Sequence, residues 1–114
     1  MKSVLAVAAI WTLWSPPVDA QTIQGFGANT CGSWVQEHRK DSIIAGAQNS
    51  WMTGFLSAYN VYGPQATRSI AGRGSDYQGV EVWMTNYCAA HPLDNIAQAA
   101  VVLVQTLVDR LPNH

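Results

Sequence analysis

Apolar residues recur at three- and four-residue steps in four segments of the chain, which predicts an all-α domain, a small bundle of about four helices. No segment shows the two-residue alternation of a strand. The first helix is short and begins after Thr30, a suitable N-cap, with Trp34 and Val35 toward the core. The charged run at 37–40 is expected to face solvent.

The second helix is predicted from Asp41 or Ser42, either of which can cap it, to Tyr62. Gly63 and Pro64 end it, because proline cannot continue a helix and restricts the residue before it. Its apolar residues share one helical face, which predicts the central core helix. They are Ile44, Ala47, Trp51, Phe55 or Leu56, and Tyr59.

Small residues form a second stripe along the same helix. Gly46, Ser50 and Gly54 follow one another at four-residue steps, and Ser57 or Ala58 continues them. A glycine in a helix interior costs about 1 kcal/mol relative to alanine, so the pattern predicts a neighbouring helix that crosses closely over Gly54. A groove left open for a ligand is the alternative.

A loop is predicted at 65–75, and two more helices follow it. Ser75 or Asp76 can cap the third helix, and the fourth follows an interruption at 91–94 in which Pro92 and Asp94 suit a helix start. The apolar face of the third consists of Val80, Trp83, Met84, Tyr87 and Cys88, and that of the fourth of Ile96, Ala97, Ala100, Val101, Val104, Leu107, Val108 and Leu111. The predicted core contains Trp34, Trp51, Phe55, Trp83, Tyr87, Val101, Val104 and Leu107.

Residues 1–20 have the pattern of a secretory signal peptide, which leaves 21–114 as a single domain. Lys2 precedes an apolar run from Val4 to Trp14, and 18–20 has the small-x-small form that signal peptidase accepts. The run is about half of the roughly 20 residues that a membrane-spanning helix needs, which favours cleavage over an uncleaved anchor. The mature protein is expected to be soluble, without stable membrane insertion.

Export changes the interpretation of the two cysteines, Cys31 and Cys88. Thiols in an oxidising compartment pair and persist, so a disulfide between them is expected, and an intermolecular disulfide remains the alternative. Cys88-Ala-Ala-His91 also has a spacing that suits a zinc site and could be joined by Cys31 or His38, but sequence spacing indicates no fourth ligand. His91 is interpreted instead as a residue that hydrogen-bonds free carbonyls at the end of the third helix.

Charge and motif content limit the possible functions. The whole chain has six Lys and Arg and seven Asp and Glu, and five and six remain without Lys2 and Asp19 of the leader. This balance gives no basic field for nucleic acid. The sequence contains no Gly-x-Ser-x-Gly, phosphate loop, zincin motif or paired-carboxylate signature, so we expect no enzyme activity, catalytic residue, metal or cofactor.

Three motifs give the chain a family resemblance. Thr30-Cys31-Gly32-Ser33-Trp34, the Trp-x-x-Gly-Phe-Leu-Ser stretch at 51–57 and Asn86-Tyr87-Cys88-Ala89-Ala90-His91-Pro92 resemble the HdeA/HdeB-like small periplasmic proteins. The segment at 87–92 with its following helix is also similar to the Rap1a/Tai type of periplasmic immunity proteins, whose cysteine pattern differs. The first resemblance implies a single-disulfide helical domain, dimeric at neutral pH, that holds unfolding clients through apolar surface. The second implies a protein that binds and blocks a toxic enzyme.

These observations together predict a periplasmic, non-enzymatic protein-binding domain that acts on a protein partner or an unfolded client in a chaperone-like way. A homodimer is a further expectation. The alternative is an immunity-type protein that blocks one partner toxin or enzyme. Candidate partner contacts are Tyr62, Arg68, Arg73 and Tyr77, since arginine and tyrosine are over-represented at binding hot spots.

Overall fold

Four α-helices and one short 3-10 helix make up the structure, a computed structural model that describes residues 22–64 and 76–111. The 3-10 helix spans Gly25–Ala28 and is followed by α1 (Cys31–Lys40), α2 (Ile43–Tyr62), α3 (Tyr77–Ala90) and α4 (Ile96–Asp109). The described ranges contain no strand longer than the isolated bridge between Thr30 and Asn95. The predicted all-α class with four helices is confirmed.

Each of the four α-helices begins at a polar side chain that accepts a hydrogen bond from a backbone amide of the first turn. The caps are Thr30 for α1, Ser42 for α2, Asp76 for α3 and Asn95 for α4. Asp41, the other candidate cap of α2, instead ends α1 in the left-handed conformation, with φ of 53°. Because Asn95 forms a capping box with Gln98, α4 starts after Pro92 and Asp94 and not at them.

The predicted disulfide joins α1 to α3. Cys31 and Cys88 are both fully buried, and their Cα atoms are 4.6 Å apart. The start of α1 is also tied to the turn between α3 and α4, where the Cys31 amide donates to the Asp94 carbonyl at 2.7 Å and the Gly32 amide to the Pro92 carbonyl at 3.2 Å. The disulfide and the backbone hydrogen bonds therefore both fix the start of α1 against the end of α3 and the turn that follows it.

The core lies between the four helices, and α4 contributes most of its aliphatic side chains. Trp34, Val104 and Leu107 are buried as predicted. Trp51, Phe55, Trp83 and Tyr87 are half-buried and pack against the core from its edge. The largest fully buried hydrophobic side chains are Trp34, Met52, Met84 and Ile96.

The prediction that Val101 lies in the core is wrong. Its side chain is 60 % exposed on the outer surface of α4. The buried stripe of α4 instead passes through Ala99, Ala100 and Leu103, so the apolar face is centred away from Val101. Because α4 is apolar around most of its circumference, hydropathy alone leaves its orientation open.

The predicted orientation of α2 is only partly right. Leu56 is buried and Trp51, Phe55 and Tyr59 pack against the core as expected, but the buried stripe is centred on other positions. Ile44, expected inside, is exposed, whereas Gln48 and Asn49 are buried.

Gln48 donates through Nε2 to the Ser33 hydroxyl of α1, although its buried Oε1 atom has no partner among the described residues. Asn49 contacts His38 of α1 and Glu81 of α3, and these bonds turn the polar pair inward. The buried stripe of α2 consists of Ala45, Gln48, Asn49, Met52 and Leu56.

The close helix crossing predicted over Gly54 does not occur. A Cβ atom placed on Gly54 or Gly46 would meet nothing within 4 Å. The glycine with a tight neighbour is Gly27 of the 3-10 helix, which packs against the Trp51 ring so closely that a Cβ there would overlap it. The Trp51 Nε1 atom donates to the Gln24 carbonyl at 3.0 Å, so the 3-10 segment covers this ring.

Several predictions fall outside the described residues, namely the signal peptide at 1–20, the loop at 65–75 with Arg68 and Arg73, and Ser75 as a cap. Within the described ranges, no helix combines the length and the apolar character needed to cross a membrane.

Candidate functional site

The outward surface of α2 combines small residues with exposed aliphatic side chains. We define the outer face of α2 as six exposed residues at three- or four-residue steps, which are Ile43, Gly46, Ser50, Gly54, Ser57 and Val61. They lie opposite the buried stripe of the helix, since residues at these steps share one helical side. Ile43 is 91 % exposed and Val61 is 62 % exposed, so an aliphatic side chain stands in solvent at each end.

The middle of the outer face of α2 is flat. Gly46 and Gly54 leave open space where a side chain would stand. The hydroxyl of Ser57 donates to the Thr53 carbonyl at 2.8 Å and so is turned toward its own helix. Another polypeptide could therefore lie close to the α2 backbone here without leaving that hydroxyl unpaired.

No charged residue occurs anywhere in α2, Ile43–Tyr62. At 1.5 Å per residue, this helix of 20 residues presents an uncharged strip about 30 Å long. A solvent-exposed helix normally carries charged residues on its outer side. The composition of α2 is thus typical of a helix with partners on both sides, although the rest of the described chain, within 22–64 and 76–111, covers only one.

The structure describes two of the four predicted partner contacts. Tyr62, at the end of α2, is 88 % exposed, and Tyr77, at the start of α3, is 55 % exposed. Both rings are available to a partner, as the prediction requires. Arg68 and Arg73 lie in the segment outside the described residues, so their role remains a prediction.

A polar junction joins α1, α2 and α3 on the other side of α2. His38 stacks on Trp34 with the ring centroids 4.0 Å apart, and its Nε2 atom lies 3.0 Å from the Asn49 Oδ1 atom. The Asn49 Nδ2 atom donates to the Glu81 carboxylate at 2.9 Å. The Trp34 Nε1 atom donates to the Thr85 hydroxyl at 3.0 Å. The expectation that the whole 37–40 run faces solvent is wrong for Glu37 and His38, which are half-buried.

The polar junction opens into a shallow surface groove of about 370 Å³ between α1 and α3. The groove combines aliphatic and charged walls, which are Val35, His38, Arg39, Glu81, Val82, Thr85 and Asn86. A second open groove of about 400 Å³ runs over the disulfide, beside Val35 and Pro92. The described part of the chain holds no cluster of three His, Cys, Asp or Glu residues that could bind a metal ion.

At the end of α1, Glu37 accepts a hydrogen bond of 2.5 Å from the hydroxyl of Ser42, the residue that caps α2. This bond lowers the pKa of the Glu37 carboxyl below its usual value, and the nearby positive charge of Lys40, 3.6 Å away, acts in the same direction. The ionised carboxylate thereby helps to fix the turn between α1 and α2.

A second polar cluster fixes the turn between α3 and α4. The Tyr87 hydroxyl donates to the Asp94 carboxylate at 2.7 Å, and this bond raises the pKa of the Tyr87 phenol. His91 stacks on Tyr87, and its Nδ1 atom lies 2.9 Å from the Tyr87 carbonyl, which confirms the predicted contact with a carbonyl at the end of α3. Because Cys88 is in the disulfide, the Cys88–His91 pair has no free thiolate for zinc.

Sequence reasoning missed the polar junction. Its residues are far apart in the chain, with His38 on α1, Asn49 on α2 and Glu81 on α3. The available signal was that Gln48 and Asn49 interrupt α2 at positions that neighbour Ala45 and Met52 on the helix. Two adjacent amides on such a face indicate partners on neighbouring helices.

No protein-family model, curated protein or solved structure matches this chain. The resemblances to HdeA/HdeB-like and Rap1a/Tai-type proteins therefore stay predictions, and the functional proposal rests on the sequence and structure of this chain alone.

Proposed function

We propose that this chain is an exported, non-enzymatic protein-binding domain that holds apolar segments of unfolded polypeptides on the outer face of α2. The observation that carries the proposal is the exposure of an uncharged helix face about 30 Å long, with Ile43 and Val61 in solvent at its ends. A helix face without charged residues is unusual in contact with water, because the outer side of a surface helix normally carries them.

The periplasm is the proposed location. The disulfide between Cys31 and Cys88 supports an oxidising compartment, because cytosolic reductants keep such pairs reduced. The predicted signal peptide at 1–20 supports the same location. A covalent link between α1 and α3 would also keep the fold together under conditions that unfold neighbouring proteins.

The shape of the outer face of α2 suits an extended or helical apolar segment. A strip of about 30 Å accommodates about nine extended residues at roughly 3.3 Å each. The glycines at its centre allow the backbone of the bound segment to approach, and the aliphatic side chains at its ends can pack against apolar side chains of that segment. Tyr62 extends the contact beyond the last turn of the helix.

The absence of charge on α2 favours many clients over one dedicated partner. Complementary charges steer association and exclude wrong partners, and an uncharged face offers neither advantage. The exposure of Tyr62 and Tyr77 supports the second candidate, an immunity-type protein that blocks one toxin or enzyme, because tyrosine is enriched at binding hot spots. The two candidates differ in stoichiometry and in the residues that they require.

The test is suppression of client aggregation, measured by light scattering on the oxidised protein. Val61→Lys places a charge on the outer face of α2, and Val101→Lys is the matched control, since Val61 and Val101 are 62 % and 60 % exposed on different helices. Loss of one buried valine contact of about 1.5 kcal/mol should raise the concentration of protein needed for protection about tenfold in Val61→Lys. Val101→Lys should protect like the wild type.

Absence of protection at every ratio of protein to client would remove the chaperone-like proposal, and equal loss in both variants would remove the outer face of α2 as its site. The immunity-type candidate predicts instead a one-to-one complex with a single periplasmic protein that Tyr62→Ala and Tyr77→Ala both weaken.

A further inference from the structure

Two surface grooves adjoin along one side of the contact between α1 and α3. The groove of about 370 Å³ and the groove of about 400 Å³ share Val35 and Arg39 as lining residues, so they form one longer depression, which we call the combined groove. None of its lining residues belongs to α2. The combined groove is therefore separate from the outer face of α2, and what it binds does not depend on the proposed client binding.

The two helices that line the combined groove run antiparallel. Cys31, the first residue of α1, is bonded to Cys88 near the end of α3, and Trp34 donates to Thr85, one turn earlier in α3. Residues at three- and four-residue steps share one side of a helix, so each helix contributes one row of side chains to the groove. The rows include Gly32, Val35 and Arg39 on α1 and Val82, Asn86 and Ala89 on α3.

The combined groove is formed before any ligand binds. Cys88 lies at its base, and the disulfide to Cys31 fixes the separation of the two helices. Trp34 is fully buried between them, and its bond of 3.0 Å to Thr85 adds a second link. A ligand that enters such a groove does not have to order the protein first, which favours affinity.

Arg39 brings an unpaired positive charge to the combined groove. Among the described residues its guanidinium has no hydrogen bond or ion pair, whereas Lys40 beside it lies 3.6 Å from Glu37. Glu81 lines the same groove from α3, but its carboxylate is bonded to Asn49 at 2.9 Å. A guanidinium with free donors suits a carboxylate, which it can hold through two parallel hydrogen bonds.

Aliphatic groups lie in both parts of the combined groove. Val82, in the first part, is 60 % exposed, and Val35, which borders both parts, is half-buried. Ala89 and Pro92, in the part over the disulfide, are exposed. Apolar side chains that cover these groups remove apolar surface from water, so the groove favours a ligand with aliphatic groups next to its carboxylate.

We propose that the combined groove binds an extended peptide segment in which one glutamate or aspartate has aliphatic neighbours two positions away on both sides. Arg39 holds the carboxylate, and the aliphatic side chains contact Val82 in one part and Ala89 in the other. Alternate side chains of an extended chain point to the same side and lie about 7 Å apart. From Gly32 to Arg39, α1 rises about 10 Å, which matches roughly three extended residues.

Two features of the combined groove narrow the ligand further. The groove continues past Arg39 into both of its parts, so the bound carboxylate belongs to a side chain within a segment and not to the end of a chain. Glu81 repels a second carboxylate in the first part, so the segment carries a single acidic residue.

The experiment titrates isotope-labelled oxidised protein with a short peptide, Val-Ser-Glu-Ser-Val, both ends of which are blocked. Amide resonances are followed by NMR, which detects binding in the millimolar range. We expect the changes to centre on Val35, Arg39, Val82 and Ala89. The peptide with glutamine in place of glutamate should bind about tenfold more weakly, since it loses hydrogen bonds between charged groups.

Two pairs of variants test the two parts of the contact. Arg39→Gln should abolish the difference between the glutamate and glutamine peptides, whereas Lys40→Gln, which removes the same charge from the next residue, should preserve it. Val82→Ser should weaken both peptides about fivefold, because it removes an aliphatic contact. Val101→Ser is the matched control, since this valine is equally exposed, at 60 %, on α4.

Equal affinity for the two peptides, or equal loss in Arg39→Gln and Lys40→Gln, would overturn the proposal. Absence of binding at millimolar peptide, or changes that lie outside the combined groove, would overturn it as well. A third peptide, Ser-Ser-Val, has its only carboxylate at a free C-terminus. Tighter binding of this peptide would assign the groove to chain ends and would refute the internal segment proposed here.

Discussion

Gly54 lies in the middle of α2 with open space around it, so its replacement by alanine is expected to stabilise the isolated protein. Glycine in a helix interior costs about 1 kcal/mol relative to alanine, because the unfolded chain is more flexible. Nothing lies within 4 Å of the new methyl group to offset this gain. The expected change in the free energy of unfolding is therefore about 1 kcal/mol in favour of the folded state.

Chemical and thermal unfolding, followed by circular dichroism on the oxidised protein, measure this change. For a domain of this size, about 1 kcal/mol corresponds to a rise in Tm of roughly 4 to 8 °C. The dependence of the unfolding free energy on urea should stay the same, because the substitution exposes no new surface. Gly27→Ala is the opposite control, since its methyl group would overlap the Trp51 ring and should lower the Tm.

A lower Tm in Gly54→Ala would refute the reasoning, because it would mean that a neighbour packs over this glycine in solution. Under the proposed function, the same variant that gains stability should bind client less tightly, as its methyl group stands where the bound backbone approaches. Opposite effects of one methyl group on stability and on binding would show that Gly54 is retained for function.

Three further predictions concern the bonds that fix the helix ends. Reduction of the disulfide between Cys31 and Cys88, 57 residues apart, should lower the free energy of unfolding by about 4 kcal/mol, measured by urea unfolding with and without reductant. The pKa of Glu37 is lowered in the fold, so its contribution to stability is present at neutral pH and lost as the pH falls through the folded value; Glu37→Gln should flatten the acid limb of the stability profile. The hydrogen bond to Asp94 raises the pKa of Tyr87, so the contribution of this bond to stability is present at neutral pH and lost as the pH rises through the raised pKa. An ultraviolet titration should therefore find one tyrosine that ionises above the ordinary range, and Asp94→Asn should return its pKa toward the usual value. The disulfide prediction is contradicted if the unfolding midpoint does not change on reduction. The prediction for Glu37 is contradicted if its variant leaves the acid limb unchanged, and that for Tyr87 if all tyrosines ionise in the ordinary range.

Local signals account for the part of the fold that the sequence predicts. Thr30 and Asp76 cap their helices through bonds within a few residues, and Gly63 ends α2 as expected. The pairing of Cys31 with Cys88 follows from there being two cysteines in a chain that is predicted to be exported. These features depend on neighbouring residues or on composition, which the sequence shows directly.

The orientation of the helices depends on contacts that are distant in sequence. Ile44 is more apolar than Asn49, yet Asn49 is buried because His38 and Glu81, on two other helices, supply its hydrogen bonds. Val101 is exposed because the equally apolar opposite side of α4 faces the core. Hydropathy predicts the buried side of a helix from the transfer free energies of its side chains. It contains no information on hydrogen-bonding partners that other helices supply.

The candidate site was partly predictable for the same reasons. The small-residue stripe of α2 was visible in the sequence, but its interpretation as an internal helix crossing was wrong, and Gly46 and Gly54 are open to solvent. Tyr62 and Tyr77 are exposed as expected, and their role as partner contacts stays a prediction. The polar junction at His38 required three helices to be placed before it could be recognised.

The outer face of α2 as a client-binding surface is the central claim, and a residue-resolved NMR map of the bound state tests it most directly. Isotope-labelled oxidised protein is titrated with a permanently unfolded client peptide, and the amide resonances are followed. The account predicts that the largest changes lie at Ile43, Gly46, Ser50, Gly54, Ser57 and Val61, with the exposed side of α4 around Val101 unchanged. Changes centred on the groove between α1 and α3, or saturating binding that leaves the outer face of α2 unperturbed, would contradict it.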